Sequence, residues 1–355
     1  MIKIKKVGKH FTGFFPLSIF STIFFHFLAT YHGLPSYITN TINDMISTEK
    51  NIDNLLGRSE ERYFGDVFRS FYTQISDFEL LEDEIRGKFS TSYIGPLRPR
   101  GEAPHIGSIE YLALALRIAT HGLNQLGKIN IADTNRAFLR SYAINLGDSL
   151  PMGSYPFHCR MLRSAMDGKS IQGSTSLFEI QMGTNKALIE VDHKGGMRYG
   201  KLPEKETIKR HFEQLHSIGY KSTSLEVKTT NTDLSSKTIS ASVTNRYQFE
   251  ENTLHGIGSS RDALLATDAT RVFGQLMQVL LFETAGTDRF SCNNIWLRKM
   301  ELRSERPLFT GNAEANVSFD KIREVKKNGR QWQLIKLSGK VGNFTGQFEV
   351  AYLIA

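Results

Sequence analysis

Two stretches of this chain, about 160 residues apart, are apolar around most of a helical circumference. The first covers residues 107–116, and the second covers residues 266–280, where apolar side chains recur at helical i, i+3, i+4 and i+7 spacing. A helix without a polar stripe has no face for water, so we predict that both are buried. Each begins with a carboxylate, Glu110 or Asp268. This repetition predicts a duplicated fold with an acidic residue at the N-terminus of each buried helix.

Strand-like segments surround the first helix. A lead-in segment at residues 67–78 precedes it, and β-rich segments follow at residues 138–146, 157–166, 170–182 and 187–193. Asp167-Gly168 separates two of them, and both residue types tolerate the positive φ of a tight hairpin turn. The first half therefore predicts a strand, a buried helix and then an antiparallel meander.

The second half repeats this plan. A lead-in segment at residues 238–249 precedes the second helix, and strand-like segments follow at residues 294–303, 313–322, 331–337 and 344–354. Asn328-Gly329 predicts another tight hairpin. In the last segment apolar and polar residues alternate, which is typical of a strand with one buried face.

A long helix wrapped by an antiparallel sheet is the hot-dog plan, so the pattern predicts an α+β double hot-dog fold. A single copy would leave a sheet edge and much of its helix uncovered, which favours two copies in one chain. Two unrelated α+β domains would give a similar pattern. We assign residues 1–51 to an N-terminal extension, 52–202 to the first repeat, 203–220 to an exposed amphipathic connecting helix and 221–355 to the second repeat.

The N-terminal extension has the order of a signal peptide or short anchor. Four lysines at residues 3–9 precede a phenylalanine-rich apolar segment of about 16 residues. That segment is short for a membrane-spanning helix and contains Pro16 and His26. The alternative is an artefactual upstream start, with the protein beginning near Met45. In either case residues 1–44 stay outside the fold argument.

Composition sets broad bounds on function. A chain of 355 residues is long enough for two domains or one large duplicated unit, and its 40% hydrophobic content is ordinary for a globular protein. A formal charge of +8 favours anionic partners, such as phosphorylated or CoA-linked molecules. We interpret the basic groups at residues 3–9 and 321–330 as solvated, because no zinc-finger, RNP or helix-turn-helix signature accompanies them. Cys159 and Cys292 have no metal-ligand spacing, which fits a reducing cytoplasm without disulfides.

Glu110 and Asp268 have two interpretations. Acids in a first helical turn complement the helix dipole and cap free amides, with Ser108 as the predicted cap of the first helix. A carboxylate against apolar walls instead has a raised pKa and acts as a general base near neutral pH. Position alone favours capping, whereas the predicted depth of the helices favours the base.

Five other residues are candidates for a site. His105, just ahead of the first helix, is either an exposed loop residue or a proton-transfer group at a groove entrance. Arg271, one turn from the second acid, forms a helix ion pair or, if buried, clamps a phosphate or carboxylate. Gln275 needs a buried partner or a ligand. Trp296 and Arg298 share one strand face and form a packing pair or a platform for a sugar or acyl group.

Several enzyme classes lack their signatures in this sequence. It contains no P-loop, no dinucleotide glycine fingerprint between a strand and a helix, no HExxH and no GxSxG. Residues 256–260 are glycine-rich but match no cofactor template. We therefore expect neither a nucleotide cofactor nor a metal.

Four parts of the chain are similar to one known family. They are residues 56–65 (LGRSEERYFG), the helix from His105, residues 268–278 with Asp288-Arg289, and residues 295–298 (IWLR). Over residues 52–355 the chain resembles the AvrD family of avirulence D, or pseudosugar biosynthesis, proteins. The layout is more distantly similar to AfsA-type butyrolactone synthases, which are also built from two hot-dog repeats.

The AvrD resemblance implies a synthase that joins a 3-oxoacyl thioester to a ketopentose such as xylulose, giving an acyl-sugar signal of the syringolide type. It implies acyl-CoA or an acyl carrier protein and a ketopentose as partners. We expect no cofactor, no nucleic acid and no stable membrane partner, and a homodimer is left open. The catalytic candidates are Glu110, Asp268 and His105, and the substrate-binding candidates are Arg271, Gln275, Trp296 and Arg298. A hot-dog dehydratase or thioesterase acting on acyl-CoA, and a non-catalytic acyl- or signal-binding protein, are the alternatives.

Overall fold

Both predicted buried helices are present. The computed structural model describes residues 49–96, 102–168, 170–195, 214–248, 254–259, 264–291, 295–304, 306–307 and 311–354. The first long helix, α2, spans Ser108–Gln125, and the second, α4, spans Ala266–Ala285. Two short helices, α1 (Asp53–Leu56) and α3 (Ile131–Arg136), precede and follow α2. Every residue of α2 from Ile109 to Asn124 is buried, as the absence of a polar stripe requires.

Thirteen strands form one antiparallel sheet in the part of the chain that the structure describes. The strands of the first half are β1 (Lys50–Asn51), β2 (Phe71–Leu80), β3 (Glu84–Tyr93), β4 (Phe138–Asn145), β5 (Gly153–Met166), β6 (Gly173–Met182) and β7 (Asn185–Lys194). Those of the second half are β8 (Thr223–Asp233), β9 (Thr238–Tyr247), β10 (Ile295–Ser304), β11 (Asn312–Lys327), β12 (Arg330–Val341) and β13 (Phe344–Leu353). The order across the sheet is β1-β8-β9-β11-β12-β13-β10-β4-β7-β6-β5-β3-β2.

The two halves of the sheet follow the same order of elements. Apart from β1, which pairs with β8 at the outer edge of the second half, each half runs as two strands, a long helix and four strands. In each, the first strand after the long helix lies at the inner end of its half. These inner strands, β4 and β10, pair with each other. One apolar core joins both long helices to both halves of the sheet. Long buried helices wrapped by an antiparallel sheet confirm the expected α+β hot-dog fold, whereas the domain boundaries stay predictions.

Several details differ from the sequence-based expectation. Residues 67–70 form a 3₁₀ turn ahead of β2, and β3 and β8 were not predicted. Asp167-Gly168 does separate the two strands of a hairpin, because β5 pairs with β6. The connection is longer than the predicted tight turn, since residues 170–172 also lie outside both strands. The Asn328-Gly329 prediction is confirmed: Lys327 pairs with Arg330, and both turn residues have positive φ, 52° and 75°.

The starts of the long helices also differ from the prediction. Gly107, not Ser108, is the N-cap of α2, and Leu265 is the N-cap of α4, so neither cap residue has a polar side chain. Most of the predicted connecting helix lies outside the described residues. Its described end, residues 214–217, is helical, but Leu215 and His216 are buried rather than exposed. Leu215 packs in one cluster with Ile109 and Ala113 of α2, and His216 Nε2 hydrogen-bonds with the Ile257 carbonyl at 2.7 Å.

The predicted extension at residues 1–51 lies almost wholly outside the described residues. Among the helices that the structure describes, none is both long and apolar enough to cross a membrane.

Candidate functional site

A cavity of about 260 Å³ lies between the start of α2 and the middle of α4. Residues 105–108 and 146–149 contribute to its wall, together with the segment before β2. Much of the remaining lining is apolar and comes from α4 and the second half of the sheet: Phe273, Met277, Phe282, Leu337, Phe348 and Val350. The cavity therefore has an apolar wall on one side and the N-terminus of the buried helix α2 on the other.

Three of the residues proposed from sequence line this cavity: His105, Trp296 and Arg298. The His105 ring stacks on the Trp296 indole, with centroids 5.2 Å apart and planes inclined by 19°. Arg298 sits at a bulge in β10, where the register shifts between Leu297 and Lys299, and its Nη1 donates to the Gly147 carbonyl at 3.2 Å. Three residues from two distant segments of the sequence thus meet at the cavity.

Glu110 is reached from the cavity through Tyr63. Glu110 is not among the described residues that line the cavity, but Tyr63 is, and its hydroxyl donates to Glu110 Oε2 at 2.5 Å. The same hydroxyl accepts from the Ile109 amide at 3.0 Å, in the first turn of α2. Glu110 Oε1 is buried and has no hydrogen-bond partner among the described residues. Burial raises the pKa of Glu110 to about 7, opposed by the Tyr63 hydrogen bond and the charge of Lys221.

Tyr63 stays protonated under the same conditions. Burial, with the neighbouring Glu110 charge, raises the pKa of the Tyr63 hydroxyl well above its usual range. The phenol is therefore a proton donor to Glu110 rather than a phenolate. Its ring is held edge-on by Phe64 and Phe71, which also line the cavity.

A glycine at position 107 permits this arrangement. A Cβ there would lie 2.1 Å from the Tyr63 hydroxyl oxygen and 2.7 Å from Glu110 Oε2. Both distances are far inside van der Waals contact, so no larger residue fits without displacing the pair. Gly107 itself lines the cavity.

Asp268 occupies a different environment from Glu110. It is fully buried and is not among the described residues that line the cavity. Thr223 Oγ1 donates to its Oδ1 at 2.6 Å, Asn245 Nδ2 donates to its Oδ2 at 3.3 Å, and Arg271 Nη1 lies 3.4 Å from Oδ1. Burial raises the pKa of Asp268, and the charge of Arg271 opposes that shift. Like Glu110, Asp268 forms hydrogen bonds with side chains outside its own helix. Unlike Glu110, it also has a buried cationic partner in its own helix, Arg271.

Arg271 and Gln275 hold a loop rather than face the cavity. Arg271 Nη2 donates to the Gly65 carbonyl at 2.9 Å, and its guanidinium lies 4.4 Å from the centre of the Phe68 ring. Gln275 Nε2 donates to the Phe64 carbonyl at 3.1 Å, and its Oε1 accepts from Arg62 at 3.1 Å. The buried partner expected for Gln275 is thus a segment of the chain itself.

Residues 62–68 form the segment that these bonds fix in place. Its Phe64 ring lies against Gly274 of α4, where a Cβ would meet ring atoms at 2.6 Å. The segment links the two long helices, because Phe64 contacts α4 while the adjacent Tyr63 forms a hydrogen bond with Glu110 on α2. Tyr63 was not among the sequence candidates; the only signal for it was its place in the family-like stretch at residues 56–65.

Arg289 is a further cavity residue without a role in the sequence hypothesis. It lines the cavity together with Glu61; its Nη2 donates to the Glu61 carbonyl, and its Nη1 lies 3.9 Å from Glu61 Oε2. Burial lowers the pKa of Arg289, opposed by the Glu61 charge. With Arg298 it gives the cavity two guanidinium groups. Among the described residues there is no group of three or more His, Cys, Asp or Glu side chains placed to hold a metal ion.

Comparison with protein families gives one match over most of the chain. The family model described as Pseudomonas avirulence D protein (AvrD) matches residues 47–354. No curated protein matches the chain.

Solved structures with similar arrangements have low sequence identity. A trans-AT PKS dehydratase domain from Brevibacillus brevis is 12% identical, with 79% of this chain and 97% of that chain covered and a TM-score of 0.38. An acyl-CoA thioesterase II from Mycobacterium marinum is 12% identical, with 78% and 94% covered and a TM-score of 0.35. A conserved protein with a hot dog fold from Alicyclobacillus acidocaldarius is 8% identical, with 83% and 98% covered and a TM-score of 0.37.

Proposed function

The chain belongs to the AvrD family, and on that premise we propose that it is a synthase joining a 3-oxoacyl thioester to a xylulose-like ketopentose. The product is an acyl-sugar of the syringolide type. One observation carries the proposal: a buried Tyr63–Glu110 pair, with a carboxyl pKa of about 7, stands at the wall of a largely apolar cavity.

The cavity suits an acyl chain and a small polar head. Its volume, about 260 Å³, is close to the lower end of small-molecule sites, which span about 300–1,000 Å³. Phe273, Met277 and Phe348 offer apolar contact for the chain. Stacked His105 and Trp296 offer a flat surface beside which a sugar ring can lie.

Glu110 is the general base in this proposal. With a pKa of about 7 its carboxyl is about half ionised at neutral pH, where a general base works best. A substrate proton passes to the Tyr63 oxygen while the Tyr63 proton passes to Glu110 Oε2, so the phenol never carries a full charge. The Ile109 amide, which already donates to that oxygen, stabilises the charge that develops there.

The pair can serve both bond-forming steps. In ester formation the base removes a proton from a sugar hydroxyl, whose oxygen attacks the thioester carbonyl; the carbon–sulfur bond breaks and the thiolate takes up a proton. In ring closure the base removes a proton from the carbon between the two carbonyl groups. The resulting enolate carbon attacks the sugar ketone, and the alkoxide takes the proton back from the Tyr63–Glu110 pair.

The other predicted residues take different parts in this scheme. His105 remains the second proton-transfer group, and Arg298, with Arg289, binds developing negative charge on carbonyl oxygen. Asp268 does not line the cavity and is paired with Arg271, so we propose that it acts with Arg271 and Gln275 as a positioning group. Their task is to fix residues 62–68 and thereby the Tyr63 hydroxyl.

Product analysis tests this function. The protein is incubated with a 3-oxoacyl thioester, with and without xylulose, and the products are identified by mass spectrometry. We expect free thiol and an acyl-sugar adduct only when both substrates are present. Hydrolysis of the thioester at the same rate without sugar would instead support a thioesterase. Loss of water from a 3-hydroxyacyl thioester, tested in a parallel incubation, would support a dehydratase, and binding without turnover would support a non-catalytic acyl-binding protein.

A further inference from the structure

The outer part of the β11–β12 hairpin extends beyond its neighbouring strands. β11 pairs with β9 only as far as Ser318, so residues 321–327 pair with β12 alone. β12 in turn pairs with β13 only from Trp332 onward. Residues 323–331 are all exposed, which makes this end of the hairpin a two-stranded arm.

The register of the arm sorts its charges onto one face. Directly opposed residues share a face, and successive pairs alternate between faces. Ile322 and Ile335 form a pair that faces the core, so the pairs next to them face away from it. The outward pairs are Lys321–Lys336, Arg323–Leu334, Val325–Trp332 and Lys327–Arg330, which place five cations and no acid on one surface. We call these five cations the cationic face.

The acid of the arm lies on the opposite surface. Glu324 and Lys326 belong to the alternate pairs, and Glu324 accepts hydrogen bonds from Gln331 at 2.8 Å and Gln333 at 3.5 Å. On the cationic face Lys336 pairs with Glu349 of β13 at 2.8 Å. None of the other four cations forms an ion pair with a carboxylate in the described part of the chain. An anionic partner would therefore neutralise charges that the fold leaves unmatched.

The cationic face is continuous with the rim of the candidate site. Trp296, which lines the cavity, pairs with Ala351; Ala351 pairs with Leu334, and Leu334 pairs with Arg323. These four residues form one row on one face of four neighbouring strands. At about 4.8 Å between strands, Arg323 is about 14 Å from Trp296 along the row. A molecule bound to the cationic face thus lies beside the cavity.

We propose that the cationic face docks an acidic acyl carrier protein, which presents its thioester to the cavity. This inference rests on the proposed function, because it names the carrier of the acyl substrate. From Lys321 to Lys327 the charges span about 20 Å of strand, which matches a protein surface better than a single phosphate group. Val325 and Trp332 lie between the cations and provide the apolar centre common in protein interfaces. The tip of the arm is polar, which disfavours insertion into a membrane.

Single charge reversals at the arm test the docking surface. Arg323→Glu and Lys327→Glu change the cationic face, and Lys326→Glu, on the opposite surface of the same arm, is the matched control. Binding is measured by fluorescence anisotropy with a labelled bacterial acyl carrier protein loaded with a 3-oxoacyl group. We expect salt-sensitive binding by the unmodified protein, weakened about tenfold in each test variant and less than about twofold in the control.

The possible results separate this inference from the proposed function. Binding needs no turnover, so the docking surface is judged from anisotropy, and the synthase activity from the product assay with a small pantetheine thioester. No carrier binding by the unmodified protein, or equal weakening in all three variants, would overturn the inference. It would also be overturned if the test variants lost binding to CoA or to anionic phospholipid vesicles while still binding the carrier protein.

Discussion

Gly107→Ala tests whether activity depends on the close approach of the Tyr63 and Glu110 side chains to Gly107, the N-cap of α2. The added methyl would lie 2.1 Å from the Tyr63 hydroxyl oxygen and 2.7 Å from Glu110 Oε2. Gly107 has φ −92° and ψ 176°, a conformation open to alanine, so the conflict is with the two side chains and not with the backbone. To restore a normal contact the Tyr63 hydroxyl must move by about 1 Å or more.

We expect Gly107→Ala to lower both the stability and the activity of the protein. Overpacking costs about 1–3 kcal/mol, and a weakened hydrogen bond to the buried Glu110 carboxyl adds about 1–3 kcal/mol. A displacement of about 1 Å in a catalytic group lowers the rate about 100-fold. We therefore expect Gly107→Ala to unfold at lower denaturant concentration yet remain folded in buffer, with kcat for acyl-sugar formation about 100-fold lower.

A second glycine at the cavity provides the control. Gly147 also lines it, and a Cβ at that position would meet nothing within 4 Å. Gly147→Ala should therefore retain kcat within about twofold, since a methyl group in open space displaces nothing. If folded Gly107→Ala formed product as fast as the unmodified protein, the Tyr63–Glu110 geometry would not be the source of activity. An equal loss in Gly147→Ala would also refute the reasoning.

Three further predictions concern the buried carboxylates. Because the Glu110 pKa is raised from 4.5 to about 7 and the base is the ionised form, kcat/KM should rise with pH through about 7. The stability contributed by protonated Glu110 is complete below pH 4.5 and is lost as the pH rises through about 7. Between these pH values, the unfolding free energy of Glu110→Gln, measured by denaturant unfolding, should fall by about 3 kcal/mol less than that of the unmodified protein. Asp268→Asn should lower the unfolding free energy by about 3–5 kcal/mol, because Arg271 stays buried but loses the charge of the Asp268 carboxylate. The exposed Glu226→Gln is the control and should change it little, and an equal effect in both would contradict the buried-pair account.

Hydrophobic periodicity was enough to predict the frame of this fold. The long helices fill the core, so most positions along them are apolar, and the hydrophobic pattern is enough to place them. Strands with one regular buried face, such as β13, also stand out. β8 does not, since two of its three buried residues are Thr223 and Thr229, which carry no apolar signal. β3 is broken in the same way by Gly87 and Lys88.

The candidate site was predictable only in part, because its decisive contacts join distant segments. His105 and Trp296 were selected by residue type, and they meet across 191 residues (296 − 105). Tyr63 escaped selection because nothing in its own neighbourhood indicates a bond to Glu110, 47 residues away. Arg271 looked like an anion clamp because sequence cannot show that the Gly65 carbonyl already occupies its guanidinium.

The central claim is that Glu110, reached through Tyr63, is the base for condensation of the thioester with the sugar. The most direct measurement is the rate of acyl-sugar formation by Glu110→Gln against that of the unmodified protein, with equal folding verified by circular dichroism and unfolding midpoint. General-base catalysis contributes about 10²–10⁴-fold, so we predict a loss of at least about 100-fold. A folded Glu110→Gln variant that forms the product at the unmodified rate would contradict the account.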